Sequence, residues 1–133
     1  MKIAVASSDK VTVSEHFGSA LYFVVLEVEG ENIVKEEVRE KPAHRSLFKE
    51  EEHAQVDEGG RHGFTAKASE RHKEMGEVVN DCKVIIAGRM GLGAYEDLKE
   101  LGFEVITTDV KDIKEAASLY AKGALLHKEE RLH

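Results

Sequence analysis

Apolar residues run unbroken through Ile3-Ala-Val-Ala6 and stop at the polar turn Ser7-Ser8-Asp9-Lys10, the pattern of a short strand buried on both faces. After a loop, residues 20–29 predict a second strand with Tyr22, Val24, Leu26 and Val28 on one face. Gly30-Glu31-Asn32 is turn chemistry, and 33–40 alternates as a more exposed third strand, so the two form a hairpin that Pro42 stops. Periodicity then fails over about 41–64, where Lys41, Arg45, Lys49 and Arg61 mix with Glu50, Glu51, Glu52, Asp57 and Glu58 and with His44, His53 and His62. That composition predicts a long surface excursion.

Helical spacing returns with Ala68, His72, Met75 and Val79, which share one face of a helix over about 65–80. Residues 82–87 form the next buried strand, and 88–93 its glycine-rich exit. Tyr95, Leu98 and Leu101 then mark the inner face of a helix closed by Gly102. Residues 103–107 make a fifth strand, and Asp109 or Asp112 caps a last helix carrying Ile113, Ala116, Ala117 and Tyr120. The residues after Gly123 read as further helix that frays.

A hairpin followed by alternating helix and strand predicts one α/β domain over 1–133, a five-stranded mixed sheet in the order 3-2-1-4-5 flanked by helices. This is a ribonuclease-H-like arrangement. Its topology brings three segments to one sheet edge: Ser14-Glu-His-Phe-Gly18, the excursion, and Gly88-Arg-Met-Gly-Leu-Gly93. Ligands of open α/β sheets bind beyond the carboxyl ends of such strands. The single cysteine, Cys82, opens the fourth strand at the opposite edge, about 17 Å away at roughly 3.3 Å per residue.

Composition narrows the chemistry. The chain has 133 residues with 19 Lys and Arg against 26 Asp and Glu, a net charge of -7 that argues against a phosphate-backbone binder. The longest apolar run, 20–26, is far short of the roughly 20 residues that span a bilayer, and Met1-Lys2 leads directly into a strand, so neither a membrane span nor a signal peptide is expected. One cysteine permits no intrachain disulfide and no four-thiolate cluster or zinc site, which suits a reducing, cytoplasmic setting. Any metal must rest on imidazole, carboxylate, backbone or ligands it brings itself.

His16 lies in a loop where a side chain can point into the crevice, and His72 on an apolar helix face, where a buried neutral histidine with a backbone partner competes with a ligand role. His44, His53 and His62 lack a recognisable ligand spacing, but could hold a structural or regulatory divalent ion in a metal-responsive interaction module. The 88–93 turn lacks the Lys-Ser/Thr ending of a P-loop; with Arg89 and its exposed amides it favours an anion rather than a nucleotide. Metal-dependent hydrolysis would need several converging acids, whereas the first strand's exit offers Asp9 and the fourth strand none. A Cys/His nucleophile pair fails because Cys82 is at the wrong edge. No enzyme is expected.

Three blocks carry a resemblance: Met1-Lys-Ile-Ala-Val-Ala6; Val13-Ser-Glu-His-Phe-Gly-Ser-Ala20 followed by Tyr22-Phe23 and Glu27-Val-Glu-Gly30; and Asp81-Cys-Lys-Val-Ile-Ile-Ala-Gly88 with Met90-Gly91 and Gly93-Ala94. With them the chain, from Met1 to about Lys122, resembles the dinitrogenase iron-molybdenum cofactor-binding family of NifX- and NafY-like proteins, the carboxy-terminal part of NifB and the orange protein. The resemblance implies a ribonuclease-H-like domain that binds or carries an anionic iron-sulfur or iron/molybdenum-sulfur cluster without catalysis. It implies the histidine of the His-Phe-Gly motif, here His16, as the cluster ligand. The expected cofactor-binding set is therefore His16, Ser7, Ser8, Phe17, Gly18, Arg89, Met90 and Gly91, with His16, His62 and His72 as metal ligands. Cluster donor or acceptor proteins are the expected partners of a monomer or weak homodimer.

Overall fold

In a computed structural model that describes residues 1–41 and 66–133, with the backbone alone for 66–71, the chain follows the predicted alternation. Strands β1 (Lys2–Ser7), β2 (Tyr22–Glu29) and β3 (Asn32–Glu40) precede helix α1 (Ala66–Val78) and β4 (Val84–Ala87). Helix α2 (Leu92–Glu100), β5 (Glu104–Thr107) and α3 (Ile113–Ala121) complete the set, with 3-10 turns at Phe17–Ser19 and Glu129–Arg131. The five strands make one mixed sheet in the order β3-β2-β1-β4-β5. Here β2 is antiparallel to β1 and to β3, while β4 is parallel to β1 and to β5. No helix among the described residues is long and apolar enough to cross a membrane.

Both sheet faces are covered, which is why the central strands are apolar throughout. Ala4, Ala6, Phe23, Val25, Ile85 and Ala87 pack toward α1 and α2 through Met75, Val79, Ala94 and Leu98. Ile3, Val5, Val24, Leu26, Val84 and Ile86 pack toward α3 through Ile113, Ala116 and Ala117. Burying each large aliphatic side chain in these layers contributes about 1.5–3 kcal/mol. Strand β3 lies at the sheet edge and is mostly exposed, as its charged alternation requires.

Asp112 is the cap of α3, its carboxylate accepting from the Glu115 N–H at 2.9 Å. Gly102, at φ 102°, closes α2 in the left-handed conformation that glycine adopts freely. Leu101 departs from the predicted inner face of α2: it sits at the helix C-cap and is 45% exposed. The larger correction concerns the residues after Gly123. They do not continue as helix, because Gly123 at φ 75° ends α3 and the backbone turns its hydrogen bonds toward the strand exits. The Lys128 N–H donates to Thr107 O at 3.0 Å, and Leu132 forms a parallel bridge with Met90. Leu125 packs against the α3-side core and Leu132 against the opposite one, so this segment crosses the top of the sheet.

Lys41 also departs from expectation. Its charge places it among solvated side chains, yet it is 0% exposed, its Nζ donating to Phe17 O and lying 4.2 Å from the Phe17 ring centroid. Burial pushes its amine down to about 7 from an ordinary value of 10.5.

Two predictions follow from this packing. A Cβ at Gly88 would lie 2.7 Å from Ser14 O and 2.9 Å from Glu15 Cα, both backbone atoms. Gly88→Ala should therefore cost about 1–3 kcal/mol in urea denaturation, as overpacking does. Between pH 7 and 10.5 the unfolded chain holds a Lys41 proton that the folded chain has released. Stability should accordingly rise with pH across 7 to 8.5 by up to about 1.4 kcal/mol per unit. The Cys82 thiol, pushed up to about 12 by burial, acts in the opposite sense only above its ordinary value of 9.0. Lys41→Met should flatten the rise and raise stability at pH 7; denaturation at pH 7, 8 and 8.5 measures both.

Candidate functional site

The parallel pairing of β1 with β4 continues past both strand ends into the loops. The Ser14 N–H donates to Ala6 O at 2.7 Å, the Gly88 N–H to Ser14 O at 2.8 Å, and the Phe17 N–H to Arg89 O at 2.9 Å. His16 and Arg89 thus face each other as a parallel bridge. Phe17 anchors the loop from below: its ring is buried against Phe23, with centroids 6.0 Å apart. His16, between the buried Phe17 and the exposed Glu15, is held outward.

Over this junction opens a cavity of about 370 Å³ lined by His16, Phe17, Gly18, His72, Arg89, Met90 and Gly91 together with Met75, Leu92 and His133. Its volume far exceeds the roughly 30 Å³ share of one water molecule, so it suits a polyatomic group rather than a bare ion. Of the residues expected from sequence, these seven from His16 to Gly91 are brought together. Ser7 and Ser8 are not. Ser7 is fully buried, its hydroxyl donating to Thr12 O at 2.6 Å and accepting from the Lys10 N–H at 2.9 Å, so it stabilises its own turn. Ser8 lines a separate hollow with Asp9, Thr12 and Lys111. His44, His53 and His62 lie outside the described residues.

His72 is 9% exposed, and its partner is a side chain rather than the backbone: Nδ1 lies 2.7 Å from Asp97 Oδ2 on α2. A carboxylate on one ring nitrogen fixes an imidazole's orientation and leaves the other nitrogen as the donor, the arrangement common behind metal-bound histidines. Sequence spacing carries no sign of this pair, since it joins two helices 25 positions apart. Arg89 is likewise not a free cation. Its Nε donates to Glu15 Oε1 at 3.1 Å, and Arg131 Nη2 donates to the same oxygen at 2.9 Å. The Arg89 hydrogen bond chiefly holds the Glu15 carboxyl below its usual range, so the three residues together keep one net positive charge at the cavity edge.

The start of α2 adds backbone dipoles. The Tyr95 N–H is the first to bond within the helix, to Gly91 O at 3.0 Å, so the Gly93 and Ala94 amides belong to the open first turn. Among the described residues no three His, Cys, Asp or Glu side chains converge as a metal cage. Imidazoles, the buried thioethers of Met75 and Met90 and a positive rim fit an anionic metal group that brings most of its own ligands. Cys82 is apart from all of this, lining another groove with Gly76, Asn80 and Phe103. Sequence reasoning missed Arg131 and His133, whose place follows from the unpredicted course of the last segment; their basic and imidazole side chains beside Leu132 were the available signal.

Comparison with known proteins agrees with this architecture. The chain is 30% identical over 125 residues to the uncharacterized protein MJ0580 of Methanocaldococcus jannaschii, an alignment covering 94% of this chain and 89% of that one. Its fold matches the crystal structure of PH0822 with a TM-score of 0.66 at 23% identity, covering 98% of each chain. It matches the apo form of the orange protein from Desulfovibrio gigas with a TM-score of 0.65 at 17% identity, covering 96% and 92%. Residues 1–123 match the family described as dinitrogenase iron-molybdenum cofactor, and to that family the chain belongs.

Proposed function

We propose that this protein binds and carries a preassembled metal–sulfur cluster, of the iron–sulfur or iron/molybdenum–sulfur kind, and does not itself catalyse a reaction. The observation that carries the reading is the cavity in which His16 and the Asp97-oriented His72 share a wall with the open first turn of α2. The cluster is cargo, and each contact has a physical role. His16 supplies an imidazole nitrogen to a metal atom, and His72 a second through the ring nitrogen that Asp97 does not hold. Arg89, with the α2 amides, meets the negative charge of the sulfide shell. Met75 and Met90 present soft, apolar walls that accept sulfur without hydrogen bonds.

The family membership supports this assignment. Within the same proposal the fold is ribonuclease-H-like, the setting cytoplasmic, and the partners are the proteins that donate or accept the cluster. His62 is a further proposed ligand in the 42–65 segment.

Reconstitution with iron, molybdate and sulfide, followed by metal analysis and visible absorbance of the desalted protein, tests the reading. Wild type should retain the cluster, and His16→Ala should bind it at least ~10-fold more weakly, the lower bound typical of disturbing a metal site. Equal retention by both would remove His16 from the site. Asp97→Asn keeps the side-chain shape but removes the negative charge behind His72, and should lower affinity by roughly 10–100-fold while leaving the circular dichroism spectrum unchanged.

A further inference from the structure

The segment after α3 reaches the cavity through its main chain. The Met90 N–H donates to Arg131 O at 3.2 Å, the His133 N–H to Met90 O at 3.0 Å, and the Leu92 N–H to His133 O at 3.0 Å. Arg131 fastens the same stretch, its Nε donating to Gly88 O at 2.6 Å while its Nη2 holds Glu15. Leu132 packs into the core between them. Position 133 is therefore fixed by backbone, and its side chain is spent on none of this docking.

That side chain stands against His16. The two imidazole centroids are 6.3 Å apart, with the rings inclined at 75°. Both residues are exposed, and among the described residues neither ring makes a hydrogen bond. With metal–nitrogen bonds of about 2.0–2.1 Å, two imidazoles on one metal atom have centroids from about 5.2 Å apart in a tetrahedral arrangement to about 6.4 Å when opposed. The observed separation lies near the opposed end of that range.

We propose that His133 and His16 form a two-imidazole clamp on a single metal atom, so that the segment after α3 completes the cavity. The inference rests on the reading of this cavity as a metal site and adds to it a ligand from a different part of the chain. Two imidazoles occupy two coordination positions on that atom and leave the others to sulfide or to ligands the metal brings, while His72 faces the same cavity from α1. Iron, copper, nickel and zinc all accept imidazole in this role. Because the main chain does the docking, His133→Gln should leave the segment in place, and its thermal unfolding midpoint should equal that of wild type.

The probe is half an equivalent of copper(II) added to the full chain, read by pulsed electron paramagnetic resonance, which counts coupled imidazoles through their remote nitrogens. Wild type should give the combination lines of two imidazoles. His16→Gln and His133→Gln should each give the pattern of one, with copper affinity reduced at least ~10-fold. A one-imidazole pattern in wild type, or an unchanged spectrum in either variant, overturns the clamp. Iron, molybdate and sulfide uptake is measured on the same preparations. Loss of cluster uptake in wild type with the two-imidazole copper pattern intact defeats the carrier function alone, whereas cluster uptake with an unchanged His133→Gln spectrum defeats the clamp alone.

Discussion

The site depends on the absence of a side chain at Gly88. There the backbones of two loops meet so closely that an added carbon would fall 2.7 Å from Ser14 O. Only because that contact closes does the β1–β4 pairing run on beyond the strands to set His16 opposite Arg89. The rest of the cavity edge lies downstream of it: the outward position of His16, the shared grip of two arginines on Glu15, and the surface on which the segment after α3 lies. Parallel strands have no hairpin between them to define their exits. In this protein the glycine contact takes that part.

Charge at the site is arranged rather than abundant. A chain of net charge -7 places two guanidiniums on one carboxylate at the cavity edge and puts a lysine amine beneath the Phe17 carbonyl. Lys41 is the costly member of this set, because burial opposes its charged form. Its proximity to the Phe17 and Phe23 rings offsets part of that cost through cation–π attraction. The result is a loop whose carbonyl and ring are both held from below, leaving the neighbouring imidazole free above.

Much of this is legible in the sequence, and the boundary of legibility has a physical cause. The strand order follows from a hairpin joined to alternating helix and strand units, and with it the meeting of the loops that leave β1 and β4. His16, Arg89 and Gly91 are found this way, and Cys82 is set aside the same way. The course of 124–133 is not legible, because it is held by main-chain hydrogen bonds, by the Arg131 side chain and by two isolated apolar side chains, Leu125 and Leu132, none of which leaves a periodic trace. Lys41 misleads because a charged side chain beside other charges reads as solvated. Ser7 misleads in the opposite way: a hydroxyl at a strand exit resembles a ligand contact, but its turn uses both its donor and its acceptor.

The two faces of β1 differ in size rather than polarity. Ala4 and Ala6 turn toward α1 and α2, where Phe17, Met75, Met90 and Leu98 are large; Ile3 and Val5 turn toward α3, which answers with Ala116 and Ala117. In a strand with one wet face, a slip of one residue is resisted because it would drive polar groups inward. Here it would exchange alanine for isoleucine on both sides, crowding one layer and hollowing the other. Volume therefore encodes the register of the central strand, and the thioether-lined wall of the cavity exists because the alanines opposite leave room for it.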